Sequence, residues 1–195
     1  MRFLQKGLLL VGALWLVGCA PKAVETVDVS PYAAKPAAFK KSGTIYVGRF
    51  TDTRKNKKII GYILSDGKVE ARLQTQTDFL KWFRQALVGA LKKEGCKLAG
   101  KRVYNDQIPR IYLHIDKVEA RYDRSQLTGE NLTTDVRVTL LLFHGSNAKV
   151  TKKIGLQEKK WIPPVGASKA IESALQGTLE QVADMVVEQI DAYRF

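Results

Sequence analysis

The chain has 195 residues, which allows one ordinary domain with short additions. Apolar residues make up 45% of it, enough for a true core, and Lys+Arg 32 against Asp+Glu 19 gives a net charge of +13. Such a surplus draws the protein to anionic surfaces but carries no information about fold.

Met1 to Ala20 has three parts: a basic start (Arg2, Lys6), an apolar run from Gly7 to Val17, and small residues around Cys19. The run is shorter than the ~20 apolar residues a bilayer span requires, so it reads as the h-region of a signal peptide over residues 1–18. Leu16-Val17-Gly18-Cys19 resembles the bacterial lipobox, a branched apolar pair, a small residue and then cysteine. That resemblance implies cleavage before Cys19, a diacylglycerol thioether on its sulfur and an N-acyl lipid, of the palmitate kind, on its new amine. These covalent lipids are the only non-protein groups expected; no cofactor or metal is. One acyl chain holds a protein marginally, whereas two or more hold it stably. An Asp after the cysteine commonly marks inner-membrane retention in two-membrane bacteria. Ala20 stands there instead, so the resemblance favours the outer membrane, facing the periplasm. Losing Arg2 and Lys6 with the leader leaves 30 basic against 19 acidic residues, so the charge belongs to the exported part.

From Ala20 to Ser42 the chain is rich in Ala, Pro, Lys and Val and is interrupted by Pro21, Pro31 and Pro36. No strand or helix period persists, and residues 19–42 read as the lipidated cysteine and a flexible tether with a coil span of roughly 25–30 Å. Residues 43–195 then form a single α/β domain.

Within it, residues 43–50 alternate Ile45 and Val47 against Tyr46 and Gly48, a first strand. The polar segment Thr51–Lys58 follows, then Ile59-Ile60-Gly61 and a short extended piece around Val69–Leu73. Between Asp78 and Glu94, Phe79, Leu80, Phe83, Ala86, Leu87, Ala90 and Leu91 recur at helical spacing, with Gly95 suited to the end. Cys96, once Cys19 is lipidated, has no partner for a disulfide and reads as a small buried residue starting a short strand. Three strands come next, through Ile111–Tyr122, Val136–Leu142 and 149–159. A last helix runs from Ser168, a candidate N-cap, to about Ala192, with Ile171, Leu175, Thr178, Leu179, Val182, Val186 and Ile190 as its stripe. The order predicts an α+β fold: one mixed sheet of about four to five strands with two long helices on one face.

The motifs that carry catalysis are missing. The sequence has no Gly-x-Ser-x-Gly elbow, phosphate-cradling glycine loop or His-Glu-x-x-His pair, and His114 and His144 read as ordinary strand residues. Basic clusters are the more informative feature. Arg54, Lys55, Lys57 and Lys58 share one loop, while Lys152, Lys153, Lys159 and Lys160 lie around the last strand. They solubilise the surface or meet anionic envelope material; an exported location removes nucleic acid as a partner. Trp161, beside Pro163-Pro164, either covers the core or offers a rigid apolar contact.

With these elements in place the domain resembles the YajG-like family of envelope lipoproteins. The carriers are the first strand leading into Asp52-Thr53-Arg54, then Ile60-Gly61, the helix Phe79–Leu91 ending at Gly95, and Ile111–Val118. The resemblance implies a non-enzymatic lipoprotein without an established molecular activity. It also implies kinship with architectures seen in activators of penicillin-binding proteins and in accessory subunits of lipid or polysaccharide export. Asp52 and Arg54 are expected to form a surface pair worth ~0–1 kcal/mol, shaping their loop rather than stabilising it. The resulting expectation is a membrane-anchored binding or scaffolding protein. It would contact an envelope protein or anionic component through Asp52, Arg54, Lys55, Lys57, Lys58 or Trp161. The alternatives are a regulatory or accessory lipoprotein and an envelope hydrolase with an unrecognised site.

Overall fold

A computed structural model describes residues 23–36, 43–100, 108–144 and 148–193. The expected leader, its lipobox residues Leu16, Val17 and Gly18, and Cys19 lie outside the described residues. In chain order the elements are β1 (Ala23–Thr26), β2 (Thr44–Asp52), β3 (Ile59–Ser65), β4 (Lys68–Gln74), α1 (Phe79–Lys93), β5 (Lys97–Leu98), β6 (Arg110–Asp123), β7 (Leu132–His144), β8 (Ala148–Lys160) and α2 (Ala167–Tyr193).

The hub is β6. Along one edge it pairs antiparallel with β7 from Arg110↔Phe143 to Tyr122↔Leu132, and β7 pairs with β8 in turn. Its other edge is divided. β2 runs parallel to the first half, ending at Asp52↔Ile115, and β3 runs parallel to the second half from Gly61↔Ala120. β2 and β3 therefore lie along one line, and residues 53–58 leave it and return. β6 adapts at that gap with a bulge between Ile115 and Lys117. Its buried side chains switch phase there, from Ile111, Leu113 and Ile115 to Val118, Ala120 and Tyr122. Asp116, the extra residue, accepts hydrogen bonds from Thr53 Oγ1 (3.1 Å) and Thr139 Oγ1 (2.6 Å), tying the excursion to the bulge. The return is tight: Gly61 has φ +154°, and a Cβ there would lie 1.7 Å from the Ala120 carbonyl oxygen.

Among the described residues the sheet has eight strands, more than the four to five expected. Part of the surplus is the β3–β4 hairpin, closed by Asp66 and Gly67 at φ 50° and 72°. Two such residues form the turn whose twist matches paired strands. β1 supplies another strand and overturns the tether reading for residues 23–36. It pairs parallel with β4, and Val27 and Ala34 are fully buried. Ser30 O accepts from Trp82 Nε1 (2.7 Å), Ser30 N donates to Gln176 Oε1 (2.9 Å), and Lys35 N donates to Asp184 Oδ1 (2.8 Å). Tyr32 stacks on Trp82 and donates its hydroxyl to Asp184. Burial, then the bond to Asp184 and the charges of Asp184 and Glu180, push that hydroxyl up to about 12. Past β1, Pro31 and Pro36 prevent a local period, and tertiary bonds rather than a ladder hold the rest of this belt across both helices.

α1 starts at Asp78, whose side chain accepts from Lys81 N, and ends before Gly95 at φ +86°. Its buried face carries Phe79, Trp82, Phe83, Leu87 and Leu91. The stripe on α2 is the one expected, from Ile171 to Ile190. Ser168, however, lies inside the first turn and donates to Glu25 Oε2 (2.6 Å), so it does not cap. α1 packs against β2 and α2, and α2 packs against β6, β7 and β8. Each fully buried large side chain along this interface contributes ~1.5–3 kcal/mol.

Candidate functional site

Asp52 is the last residue of β2, where the chain must turn away from β6. Its carboxylate accepts from Arg54 N (3.1 Å), an aspartate turn onto the backbone two residues on. Arg54 Nε and Nη2 complete a two-pronged pair at 2.9 and 2.7 Å, and Nη2 also reaches Lys57 O (3.2 Å). The two side chains are only 6% and 7% exposed, which corrects the expectation of a surface pair. Phe79 is the reason. α1 brings its ring under the guanidinium, 4.9 Å from Cζ to the centroid, while Nη1 is buried without a hydrogen-bond partner. Burial pushes the Asp52 carboxyl up. The bonds from the Arg54 side chain and backbone, with the charges of Arg54 and Lys57, outweigh burial and hold it below the ordinary carboxylate range.

That pair shapes the loop. Asn56 Oδ1 accepts from Lys58 N and Ile59 N (3.1 and 3.0 Å), and Lys58 O accepts from Thr75 N (3.0 Å). Between the loop and the approach to α1 lies a cleft of about 640 Å³, with Arg54, Lys57 and Lys58 on one wall and Gln76, Thr77 and Leu80 on the other. The far wall is set by Asp28, whose Oδ1 accepts from Thr75 Oγ1 (3.0 Å), Gln76 N (2.7 Å) and Thr77 N (3.2 Å). Burial raises the Asp28 carboxyl, but these bonds prevail and lower it. The lining contains no Cys, His or Ser. The exposed ammonium groups of Lys57 and Lys58 favour an anion there, while the carboxylate of Asp78, which also lines the cleft, already caps the start of α1.

The helix-free face carries a second, smaller basin of about 270 Å³. There Asp135 of β7 is clamped by Lys117 Nζ (2.8 Å) and by Arg137 Nε and Nη2 (2.9 and 2.8 Å). Burial raises the Asp135 carboxyl, and the bonds from Lys117 and Arg137 bring it down past its usual value.

Of the residues singled out from sequence, Asp52, Arg54, Lys57 and Lys58 meet in the first cleft. Lys55 lies on the same loop, exposed and outside the lining. Trp161 is elsewhere, past Lys160↔Leu132↔Tyr122 and so roughly 23 Å along β6 from Ile115. Neither His114 nor His144 lines either cleft. Among the described residues no group of three His, Cys, Asp or Glu side chains could hold a metal ion, and no helix is long and apolar enough to cross a membrane. Sequence reasoning missed Asp28. The only signal for it was the Val27/Val29 alternation, hidden among prolines.

No protein-family model matches the chain, and no curated protein matches it. Solved structures do. The crystal structure of protein XCC0632 from Xanthomonas campestris, of the DUF330 family, aligns with a TM-score of 0.56 at 12% identity. The alignment covers 87% of this chain and 99% of that one. A crystal structure of an uncharacterised protein aligns at 0.52 and 12% identity over 85% and 99% of the two chains. These two share the fold. A looser likeness, TM-score 0.45 at 13% identity over 68% and 93% of the chains, is to rare lipoprotein B from Shewanella oneidensis.

Proposed function

We propose that the chain is a lipoprotein anchored through Cys19 and works as a non-enzymatic binding or scaffolding component of the bacterial envelope. On this reading it holds an anionic segment of an envelope partner in the cleft between residues 54–58 and the start of α1. The observation that carries the reading is the construction of that cleft. A buried ion pair fixes the loop and so positions Lys57 and Lys58, both exposed, against the N-terminal end of α1. The lipobox resemblance at Leu16–Cys19 supports the anchor, Ala20 supports the outer membrane, and the loose YajG-like pattern fits both.

In-cell crosslinking of the lipidated protein tests the cleft. The partner captured by the native chain should be lost with Lys57→Glu/Lys58→Glu, and an unchanged capture would show the cleft reading to be wrong. The anchor has its own test. Cys19→Ser should move the protein from the membrane fraction to the soluble fraction with its thermal unfolding unchanged.

A further inference from the structure

The seating of residues 23–36 on the domain changes what an anchor at Cys19 would do. Only Ala20, Pro21 and Lys22 separate that cysteine from β1, so its Cα lies within ~14 Å of Ala23. A leash this short lets only one part of the domain face the bilayer.

Register identifies that part. β1 begins level with Ala71, which lies beside Ile63, and Ile63 lies beside Tyr122 near the end of β6. The chain enters at the end of the sheet that holds the β3–β4 turn, the β6–β7 connection, and the passage from β8 to α2. Side-chain contacts agree. Glu25 accepts from Ser168 in the first turn of α2 and sits 3.8 Å from Arg124, which opens the β6–β7 connection.

This end is also where apolar surface is left open. Five large apolar side chains are notably exposed among the described residues. Leu127 (71%), Trp161 (50%), Val165 (88%) and Val24 (54%) belong to this end, and Leu98 of β5 belongs to the other. Trp161 is held in place, its Nε1 donating to Leu127 O (3.1 Å), so the indole nitrogen is satisfied while half the residue stays open. A tryptophan with a bonded N–H and an open ring suits the boundary between headgroups and acyl chains. Charge at this end is mixed, with Lys68, Lys160 and Lys169 set against Asp66, Glu70 and Glu130.

We propose that this end is a membrane-contact surface, seating Trp161, Leu127 and Val165 in the interface of the bilayer that holds the Cys19 lipid. The inference rests on lipidation of Cys19. Because the charges are mixed, contact is apolar and does not require anionic lipid.

The test uses the full lipidated protein in phosphatidylcholine vesicles whose acyl chains carry bromine as a quencher. Once the leader is removed, tryptophan emission comes from Trp82, which is 3% exposed, and Trp161; Trp161→Phe separates the two. The Trp161 signal should fall by about half or more with brominated lipid and be shielded from aqueous iodide, without added anionic lipid. Leu127→Ser/Val165→Ser should weaken the lipid quenching while leaving thermal unfolding unchanged. Flotation with the vesicles, with Trp161 unquenched by lipid and open to iodide, would overturn the inference and leave the anchor standing. Shielding from both quenchers would overturn it in favour of a protein covering this end. Failure to float would overturn the anchor and the inference together.

Discussion

On one flank of β6, Asp135 is clamped by Lys117 and Arg137; on the other, Asp52 is clamped by Arg54. Both aspartate side chains are only 6% exposed, yet their partners differ: Arg54 is 7% exposed, while Lys117 and Arg137 are 38% and 57% exposed. The cations of Asp135 keep contact with solvent and can turn to water if the carboxylate is removed. Arg54, wedged against Phe79 with Nη1 unpartnered, cannot. A buried pair of this kind is poor value as stabilisation, because desolvation consumes most of the attraction. It does fix geometry, here that of the loop carrying Lys57 and Lys58. The β7 flank is continuous sheet with a charged surface, and the β2–β3 flank is an interrupted sheet built around a cleft.

The harshest way to break this difference is at the point where the interrupted flank closes. Gly61→Ala would drive a methyl group into the Ala120 carbonyl, so β3 would separate from β6. We expect a loss of about 4 kcal/mol or more in chemical denaturation, or failure to fold. Asp52→Ala strands the buried guanidinium and should cost about 3 kcal/mol, and much of this should return in Asp52→Ala/Arg54→Met, since an apolar pair leaves no orphaned charge. Asp135→Ala should cost about 1 kcal/mol, because its partners are screened by solvent. Equal losses at Asp52 and Asp135 would erase the distinction between the flanks. Lys57→Glu/Lys58→Glu should change stability by less than about 0.5 kcal/mol while abolishing partner capture.

Acid sharpens the same contrast. Asp28, Asp52 and Asp135 all have carboxyls lowered by folding, so each contributes stability that is complete above the unfolded value near 3.8. That contribution is lost as pH falls through the lower folded value. Denaturation midpoints followed from pH 6 to pH 3 should therefore drop, and the drop should be shallower in Asp52→Asn. A midpoint that rose on acidification would contradict the geometry of all three.

Much of this fold was legible where a side-chain period was long enough to repeat. The stripe of α2 and the alternation of β7 bury what their spacing predicted, and Cys96 is buried just ahead of β5. On α1, Leu80 is only partly buried and Trp82 takes a buried place outside the predicted stripe; on β8, Ile154 is buried while Val150 and Leu156 are partly so. The hairpin was obscured because Gly61 and the Asp66-Gly67 turn cut its strands into pieces of seven residues. β1 was obscured for a different reason. Its order comes from the ladder with β4, and that of the residues after it from bonds to α1 and α2; a segment stabilised from a distance leaves no local signature. The same limit applied at the cleft. The two-residue spacing of Asp52 and Arg54 announced their pairing. Their burial depends on Phe79, which arrives only after a hairpin, and the far wall depends on Asp28.

The belt of residues 23–36 also bears on when this protein can fold. Ser30, Tyr32 and Lys35, near the start of the domain, bond to Gln176 and Asp184 of the last helix, across separations of 146 to 152 residues. Contacts between such distant parts of a chain close late and slow the search for the native state. β1 can pair with β4 earlier, but until α2 has been made the bonds of Ser30, Tyr32 and Lys35 to Gln176 and Asp184 cannot form. Residues 30–35 are therefore among the last parts of the domain to settle, and their order reports that both ends of the chain have come together.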